Sequence, residues 1–251
     1  MTVILLRHGV STSNTARTLA GRSAGVDLTE HGDTQARAVA ERLASLPIEH
    51  IVHSPLLRCQ RTVAPLAEKL GLEPEYDDRL IEVDYGDWTG KAIADLLTEP
   101  LWKVVQRHAS GAVFPSGEGL AQVQIRAVAA VREHDRRFAE KAGHDVLWVA
   151  CTHGDVIKSV LADALGLHLD GFQRIVVEPA SLSIVRYTPT APYVVRLNDT
   201  GADLSGLAIK PQQPASASGS PAETEAGPVP GGELGGTPSA DNGNAELRDS
   251  L

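Results

Sequence analysis

Aromatic residues are scarce in this 251-residue sequence, where three Trp, four Tyr and three Phe make up only 4% of the chain. Aliphatic side chains must therefore fill most of its core. The sequence also lacks any run of about 18 apolar residues, the length that a membrane-spanning helix needs. Its N-terminus, Met-Thr-Val-Ile-Leu-Leu-Arg, has no basic segment of the kind that begins a signal peptide. We therefore expect a cytoplasmic protein that does not bind a membrane.

Cysteine is nearly absent too, since the chain has only Cys59 and Cys151. One pair cannot form a disulfide framework, and a cytoplasmic chain keeps its thiols reduced. A cysteine-dependent phosphatase requires an arginine six positions after the cysteine, but Pro65 and Ile157 occupy those positions. The histidines and carboxylates show no metal-ligand spacing either. The sequence therefore predicts two free thiols, no metal and no cofactor.

Positive charge is in deficit, because the formal net charge is −9. A nucleic-acid partner would require a basic face, so this class of partner is excluded. The residues from 211 onward contain six acids and one arginine, a net charge of −5, which leaves −4 for the rest. The folded part is therefore closer to neutral than the total charge indicates.

The C-terminal segment has no aromatic residue and consists mainly of Pro, Gly, Ser, Ala and acids. Such a composition cannot bury enough apolar surface to offset the entropy lost on ordering. We predict one catalytic domain over residues 1–207 and a disordered tail over 208–251. A partner-binding role for the tail is the alternative, although it carries no lipidation or targeting signal. Nothing in the sequence distinguishes a monomer from a homodimer.

Strand-like and helix-like segments alternate along the domain. Short apolar or β-branched runs predict strands at 3–6, 51–53, 145–151, 173–177, 181–187 and 193–197. Helical spacing and end signals predict helices at 32–46, 55–70, 91–97, 101–108, 118–141 and 154–165, with Ser54 as the N-cap of the second. This alternation predicts an α/β sandwich with a mainly parallel sheet and one antiparallel strand from the terminal hairpin.

Donor-rich residues come directly after three of these predicted strands. Arg7 and His8 end the first, Arg58 lies one turn into the helix after the second, and His153 comes after the strand at 145–151. Ligands of open α/β sheets bind at the carboxyl ends of the strands, so these residues can converge. The helix beginning at Gly154 would also direct its N-terminal amides there. The combination predicts an anion site, although each residue alone could belong to an ordinary turn.

The set contains every part that phosphoryl transfer requires. Cationic and amide donors stabilise the charge on the equatorial oxygens, and the residues available for this are Arg7, Asn14, Arg58 and His153. A histidine kept neutral by such cations can attack phosphorus, and His8 is our candidate. A carboxylic acid must then protonate the leaving oxygen, and Glu82 is our candidate for that acid.

Four blocks of this sequence resemble the histidine phosphatase superfamily, also called the phosphoglycerate mutase-like family. They are LLRHGVSTSN at 5–14, SPLLRCQRT at 54–62, LIEVDYGDWTG at 80–90 and THG at 152–154. The resemblance spans about residues 2–187 and implies the family's three-layer α/β/α fold. It also implies that His8 is phosphorylated, that Glu82 donates the proton, and that phosphate is bound by Arg7, Asn14, Arg58 and His153. We also expect Gly21 and Gly154 to belong to the phosphate-binding site. The resemblance implies no metal.

Two departures from the family pattern bear on mechanism. Val10 stands where the family often has Glu, which affects a local contact and not the chemistry. Asp155 comes after His153 and Gly154, so the His-Asp pair of the acid-phosphatase branch is absent and Glu82 remains the expected acid.

Hydrolysis and mutase transfer are the two enzymatic alternatives. The cofactor-dependent mutases resemble this chain at Gly21 and at 82–86, but they carry a longer insertion that is missing between residues 90 and 117. A mutase must exclude water while its substrate reorients, so the shorter segment favours a phosphatase acting on a small phosphorylated metabolite. The non-enzymatic alternative is a catalytically silent protein that binds a phosphorylated ligand. We expect Arg22 and the turn at 116–118 to face the leaving group. The alternative is that they belong to ordinary surface turns.

Overall fold

A computed structural model of the chain describes residues 1–201. The predicted tail at 208–251 and the predicted domain boundary at 207 lie outside these residues. None of the helices in the described part of the chain combines the length and apolar character that crossing a bilayer requires.

Six strands form one mixed sheet in the order β3-β2-β4-β1-β5-β6. They are β1 (Thr2–Arg7), β2 (Ile48–His53), β3 (Glu75–Tyr76), β4 (Leu147–Thr152), β5 (Leu182–Tyr187) and β6 (Pro192–Asp199). Strands β1 to β4 pair in parallel, β5 pairs antiparallel with β1, and β6 pairs antiparallel with β5. Among these strands β5 alone runs against the others, which confirms the mainly parallel sheet.

Seven α-helices accompany the sheet in residues 1–201. They are α1 (Thr12–Ala16), α2 (Glu30–Leu43), α3 (Leu57–Leu70), α4 (Ile93–Leu96), α5 (Pro100–Arg107), α6 (Leu120–Ala142) and α7 (Gly154–Ala164). The side chains of β1 alternate between two cores, with Ile4 and Leu6 facing α2 and α3, and Val3 and Leu5 facing α6 and α7. Helices therefore cover both faces of the sheet, and the predicted three-layer α/β/α sandwich is confirmed.

The predicted strand at 173–177 is wrong. The segment continues a 3₁₀ helix (Leu169–Arg174) and then runs irregularly, although Ile175 and Val177 are buried as the apolar side chains of a strand would be. Its polar groups serve other partners, because the Gln173 side chain accepts a hydrogen bond from Lys158 (2.9 Å) and the Val177 carbonyl accepts one from Arg7 (2.7 Å).

The predicted start of α3 is also wrong. The helix begins at Leu57, and its N-cap is Leu56, which makes no side-chain capping bond. Ser54 does not cap it, because its hydroxyl lies 2.7 Å from Nε2 of His153. Ser54, which the sequence predicts to be a helix N-cap, is therefore in contact with His153 instead.

Two glycines allow the loop after β1 to pack closely against the start of α2. A Cβ on Gly9 would lie 2.8 Å from the Gly32 carbonyl oxygen, and a Cβ on Gly32 would collide with the backbone of Val10. Backbone atoms cannot give way as a flexible side chain can. This contact fixes the loop that begins immediately after His8.

Alanine at position 32 should therefore destabilise the protein by about 2–3 kcal/mol, as overpacking does, and should lower activity by displacing the His8 loop. Gly119→Ala is the matched control, because its Cβ would meet its nearest neighbour, Val113, at an ordinary 3.4 Å. Chemical denaturation of both variants measures the effect. Equal stability of the two variants would contradict the close-contact argument.

Candidate active site

Two histidines come side by side at the carboxyl edge of the sheet. Strands β1 and β4 are neighbours with Arg7 in register with Thr152, so His8 and His153 both leave the sheet at the same level. The His8 amide donates to the Thr152 carbonyl at 3.1 Å, and the two imidazole centroids are 5.2 Å apart. The predicted convergence of these distant residues is thus present in the fold.

The His8 ring is held with Nε2 free of a proton. Nδ1 lies 2.8 Å from the Gly9 carbonyl oxygen, and because a carbonyl only accepts, Nδ1 carries the proton. Burial first, and then the charges of Arg58 and Arg7, lower the pKa of His8 well below its ordinary value. The ring is therefore neutral near pH 7, and Nε2 retains a lone pair that can attack phosphorus.

Two buried guanidinium groups flank this ring. Arg7 is 1% exposed, and Arg58 is 2% exposed and donates to the Gly21 carbonyl at 2.9 Å. Nη1 of Arg58 is buried and has no hydrogen-bond partner within residues 1–201. Buried donors are rarely left unpaired, so the free Nη1 group indicates that an anion binds here.

Glu82 is a buried carboxyl group beside the histidines. Its Oε1 accepts from the Val83 amide at 2.9 Å, and its Oε2 lies 3.7 Å from Nδ1 of His153. Burial, and next the negative charge of Asp155, raise the pKa of Glu82 to about 7. A large share of this group is therefore protonated at neutral pH and can act as an acid.

An ion-pair cluster holds the loop that carries Glu82. Arg126 pairs with Glu118 through two nitrogens at 2.7 and 3.0 Å and also donates to the Glu82 carbonyl at 3.2 Å. Arg22 donates to the same carbonyl at 3.0 Å and to Glu118 at 2.9 Å. Arg22 and Glu118 therefore anchor the acid loop and do not line the pocket, which differs from the leaving-group contact considered from the sequence.

A pocket opens beside His8. Its lining comprises Arg7, His8, Ser13, Asn14, Arg17, Thr18, Leu19, Ala20, Gly21, Arg58, Glu82, Tyr85 and Ile93. The predicted residues His153 and Gly154 are not in this lining; both are buried, His153 against the His8 ring and Gly154 as the first residue of α7. Because Oδ1 of Asn14 accepts from Ser11, its amide nitrogen is the group that it can offer a ligand.

Comparison with known proteins identifies the family. The sequence profile of the histidine phosphatase superfamily (branch 1) matches residues 3–200. A probable phosphoglycerate mutase of Yersinia pestis (strain Pestoides F) is 35% identical over 187 residues, which are 74% of this chain and 84% of that protein. The chain belongs to the histidine phosphatase superfamily, a family of enzymes.

Solved structures of superfamily members agree with this assignment. A mycobacterial glucosyl-3-phosphoglycerate phosphatase is 27% identical, with a TM-score of 0.70 over 78% of this chain and 98% of its own. A second structure, named mycobacterial hydrolase 1, is also 27% identical, with a TM-score of 0.72 over 80% of this chain and 99% of its own. Relatives of this chain therefore carry both phosphatase and mutase names.

The departure at Val10 leaves the candidate site intact. Val10 acts through its backbone, since its amide donates to the Gln35 side chain at 2.9 Å and its carbonyl accepts from the Thr29 amide at 2.9 Å. Both bonds hold the loop after His8 against the start of α2. Neither requires a glutamate side chain.

Sequence reasoning missed a buried polar group next to Glu82. Asp155 is fully buried, accepts from the Tyr85 hydroxyl at 2.9 Å and lies 3.6 Å from the ammonium group of Lys158. Lys158 in turn donates to Gln173. The signal was present, because two charged residues spaced three apart in the apolar first turns of a helix require buried partners. Asp155 contributes to the site by raising the pKa of Glu82.

Proposed function

We propose that this protein is a phosphomonoesterase that hydrolyses a small phosphorylated metabolite through a phosphohistidine on His8. The observation that carries the proposal is the pairing of two protonation states in one pocket. A neutral imidazole with an available Nε2 lone pair faces the same space as a carboxyl group whose pKa is about 7. A protein that only binds a phosphorylated ligand needs neither state.

The reaction proceeds in two displacements. Nε2 of His8 attacks phosphorus while the bond from phosphorus to the leaving oxygen breaks, and Glu82 gives its proton to that oxygen. Arg7, Arg58 and His153 stabilise the charge on the equatorial oxygens. The Glu82 carboxylate then takes a proton from water as that water attacks phosphorus. The bond to Nε2 breaks, and inorganic phosphate leaves.

The segment between residues 90 and 117 supports hydrolysis over mutase transfer. It forms the short helices α4 and α5, and its side chains Leu96, Trp102 and Phe114 belong to the main hydrophobic core. A segment fixed in the core cannot serve as a lid that excludes water while an intermediate reorients. The proposed phosphoenzyme is therefore exposed to hydrolysis.

A screen of phosphorylated metabolites for released phosphate tests this proposal, with isomerisation of 3-phosphoglycerate measured in the same samples. We expect phosphate release to exceed isomerisation at least about tenfold, because water competes for the intermediate. Dominant isomerisation would support the mutase alternative instead. The absence of both activities across the panel would support the silent binding protein.

Glutamine at position 82 should affect substrates according to their leaving groups. An alkyl phosphate needs a proton on its leaving oxygen, so Glu82→Gln should lower its kcat about 100-fold or more. 4-Nitrophenyl phosphate has a good leaving group, so its kcat should fall less than about tenfold. Steady-state kinetics with both substrates measures the difference, and an equal loss for both would contradict Glu82 as the proton donor.

The pH profile should reflect the two perturbed groups. Glu82 acts in its protonated form, so kcat/KM should fall as pH rises through about 7, the pKa of this carboxyl group. His8 acts in its neutral form. Because its pKa is lowered, kcat/KM should fall on the acid side only well below the pH at which an ordinary histidine titrates. Asp155→Asn removes a charge that raises the pKa of Glu82 and should move the alkaline limb to lower pH. An unchanged limb in this variant would contradict the assignment of that limb to Glu82.

A further inference from the structure

The two nitrogens of His153 have different surroundings. His153 and Ser54 are both fully buried, and Nε2 of His153 lies 2.7 Å from the Ser54 hydroxyl oxygen. Nδ1 is buried without a hydrogen-bond partner in the part of the chain that the structure describes, and it lies 3.7 Å from Oε2 of Glu82. Nε2 therefore contacts Ser54, whereas Nδ1 is the nitrogen that lies beside Glu82.

The neighbours of Ser54 leave its hydroxyl proton free to be donated to His153. The Leu56 amide approaches the Ser54 oxygen as a donor at 3.4 Å, so the single hydroxyl proton is available for Nε2 of His153. The Cys59 thiol also lies 3.6 Å from Nε2, but the Thr152 carbonyl, which only accepts, takes its proton at 3.7 Å. Burial and nearby arginines lower the pKa of His153, so the ring carries one proton. With Nε2 accepting, that proton is on Nδ1.

We propose that Ser54 is a positioning residue that fixes His153 in its Nδ1–H form, so that this ring presents a donor to the phosphoryl group held by His8. This inference rests on the proposed function and deepens it. His8 and His153 then share one tautomer in opposite orientations. His8 turns its lone pair to the pocket because Gly9 accepts from its Nδ1, and His153 turns its N–H inward because Ser54 occupies its Nε2.

The orientation matters because phosphoryl oxygens only accept hydrogen bonds. A lone pair on Nδ1 of His153 would face the negative oxygens and repel them, whereas an N–H group stabilises them as they gain charge. Neutral histidine has two tautomers, and the hydrogen bond made by one nitrogen selects the state of the other. The Ser54 hydroxyl is the group in contact with Nε2 that can make this selection.

Imidazole ¹⁵N spectra of the full-length protein test the inference without any substrate. Wild-type His153 should show a protonated Nδ1 and an unprotonated Nε2. Ser54→Ala should convert part of the population to the other tautomer and lower kcat about 10- to 100-fold, with a much smaller change in KM. Ser54→Thr keeps a hydroxyl and should restore most of the signal and the rate.

Ser159→Ala is the matched control, because it also removes a fully buried hydroxyl, here one that donates to the Asp155 carbonyl at 2.8 Å. It should leave the His153 tautomer unchanged. A wild-type His153 protonated on Nε2, or a Ser54→Ala variant with unchanged tautomer and kcat, would overturn the inference. Failure of the proposed function would appear separately, as a wild-type protein with the predicted spectrum and no phosphate release.

Discussion

Alanine at position 8 should reduce phosphate release by at least about 10⁴-fold, because it removes the group positioned to form the covalent intermediate. The remaining donors can still bind a phosphorylated ligand, since Arg7 and Arg58 keep their positions. Affinity for inorganic phosphate should therefore change far less than kcat. Steady-state kinetics and calorimetric titration measure the two quantities on the same protein.

His53→Ala is a close structural match for this variant. His53 ends β2, much as His8 comes at the end of β1, and it is 8% exposed with its Nδ1 2.7 Å from the carbonyl oxygen of the next residue. It does not line the pocket beside His8. Its replacement should cost stability but leave kcat within about tenfold of wild type. Equal losses in both variants would show that the effect at position 8 is a folding defect.

Alanine at position 58 should lower kcat/KM by about 10³-fold. This change removes a buried guanidinium whose Nη1 has no partner within residues 1–201, and charge-assisted donors of this kind stabilise a phosphoryl transition state. Arg58→Lys should be about tenfold more active than the alanine variant, because it keeps a positive charge. It should remain less active than wild type, because a point charge replaces a fork of two donors.

Arg61→Ala provides the control on the same helix. Arg61 lies one turn beyond Arg58, its side chain is 51% exposed, and it pairs with Asp27 at 3.5 Å. Exposed ion pairs contribute little, so its rate should stay within about threefold of wild type. Similar kinetics for the Arg58 and Arg61 variants would contradict the phosphate-binding role of Arg58.

The sequence was sufficient for five of the six strands, all except β3, and for the residues at the carboxyl edge of the sheet. Buried strands such as β1 and β4 have continuous apolar runs, and parallel strands place the residues at their carboxyl ends along one edge of the sheet. His8, Arg58 and His153 could therefore be assigned to one site from order along the chain alone. Glu82 was harder, since its loop has no regular pattern, and the family resemblance supports it over the neighbouring acids Asp84 and Asp87.

Interactions between distant polar groups could not be predicted in this way. The segment at 173–177 has a strand's composition, but Gln173 and the Val177 carbonyl are engaged by Lys158 and Arg7, which no local pattern indicates. Ser54 has the sequence position of an N-cap, yet its hydroxyl contacts a histidine 99 residues away. Arg22 likewise anchors the acid loop through a glutamate that lies 96 residues further along the chain.

Trapping the covalent intermediate tests the central claim most directly. Wild-type protein mixed with a ³²P-labelled substrate and quenched in alkali should carry label that survives alkali and is lost in acid, as a phosphohistidine does. Peptide mapping should place the label on His8, and the His8→Ala variant should carry none. Turnover by wild-type protein with no trapped label, or label on another residue, would contradict the account.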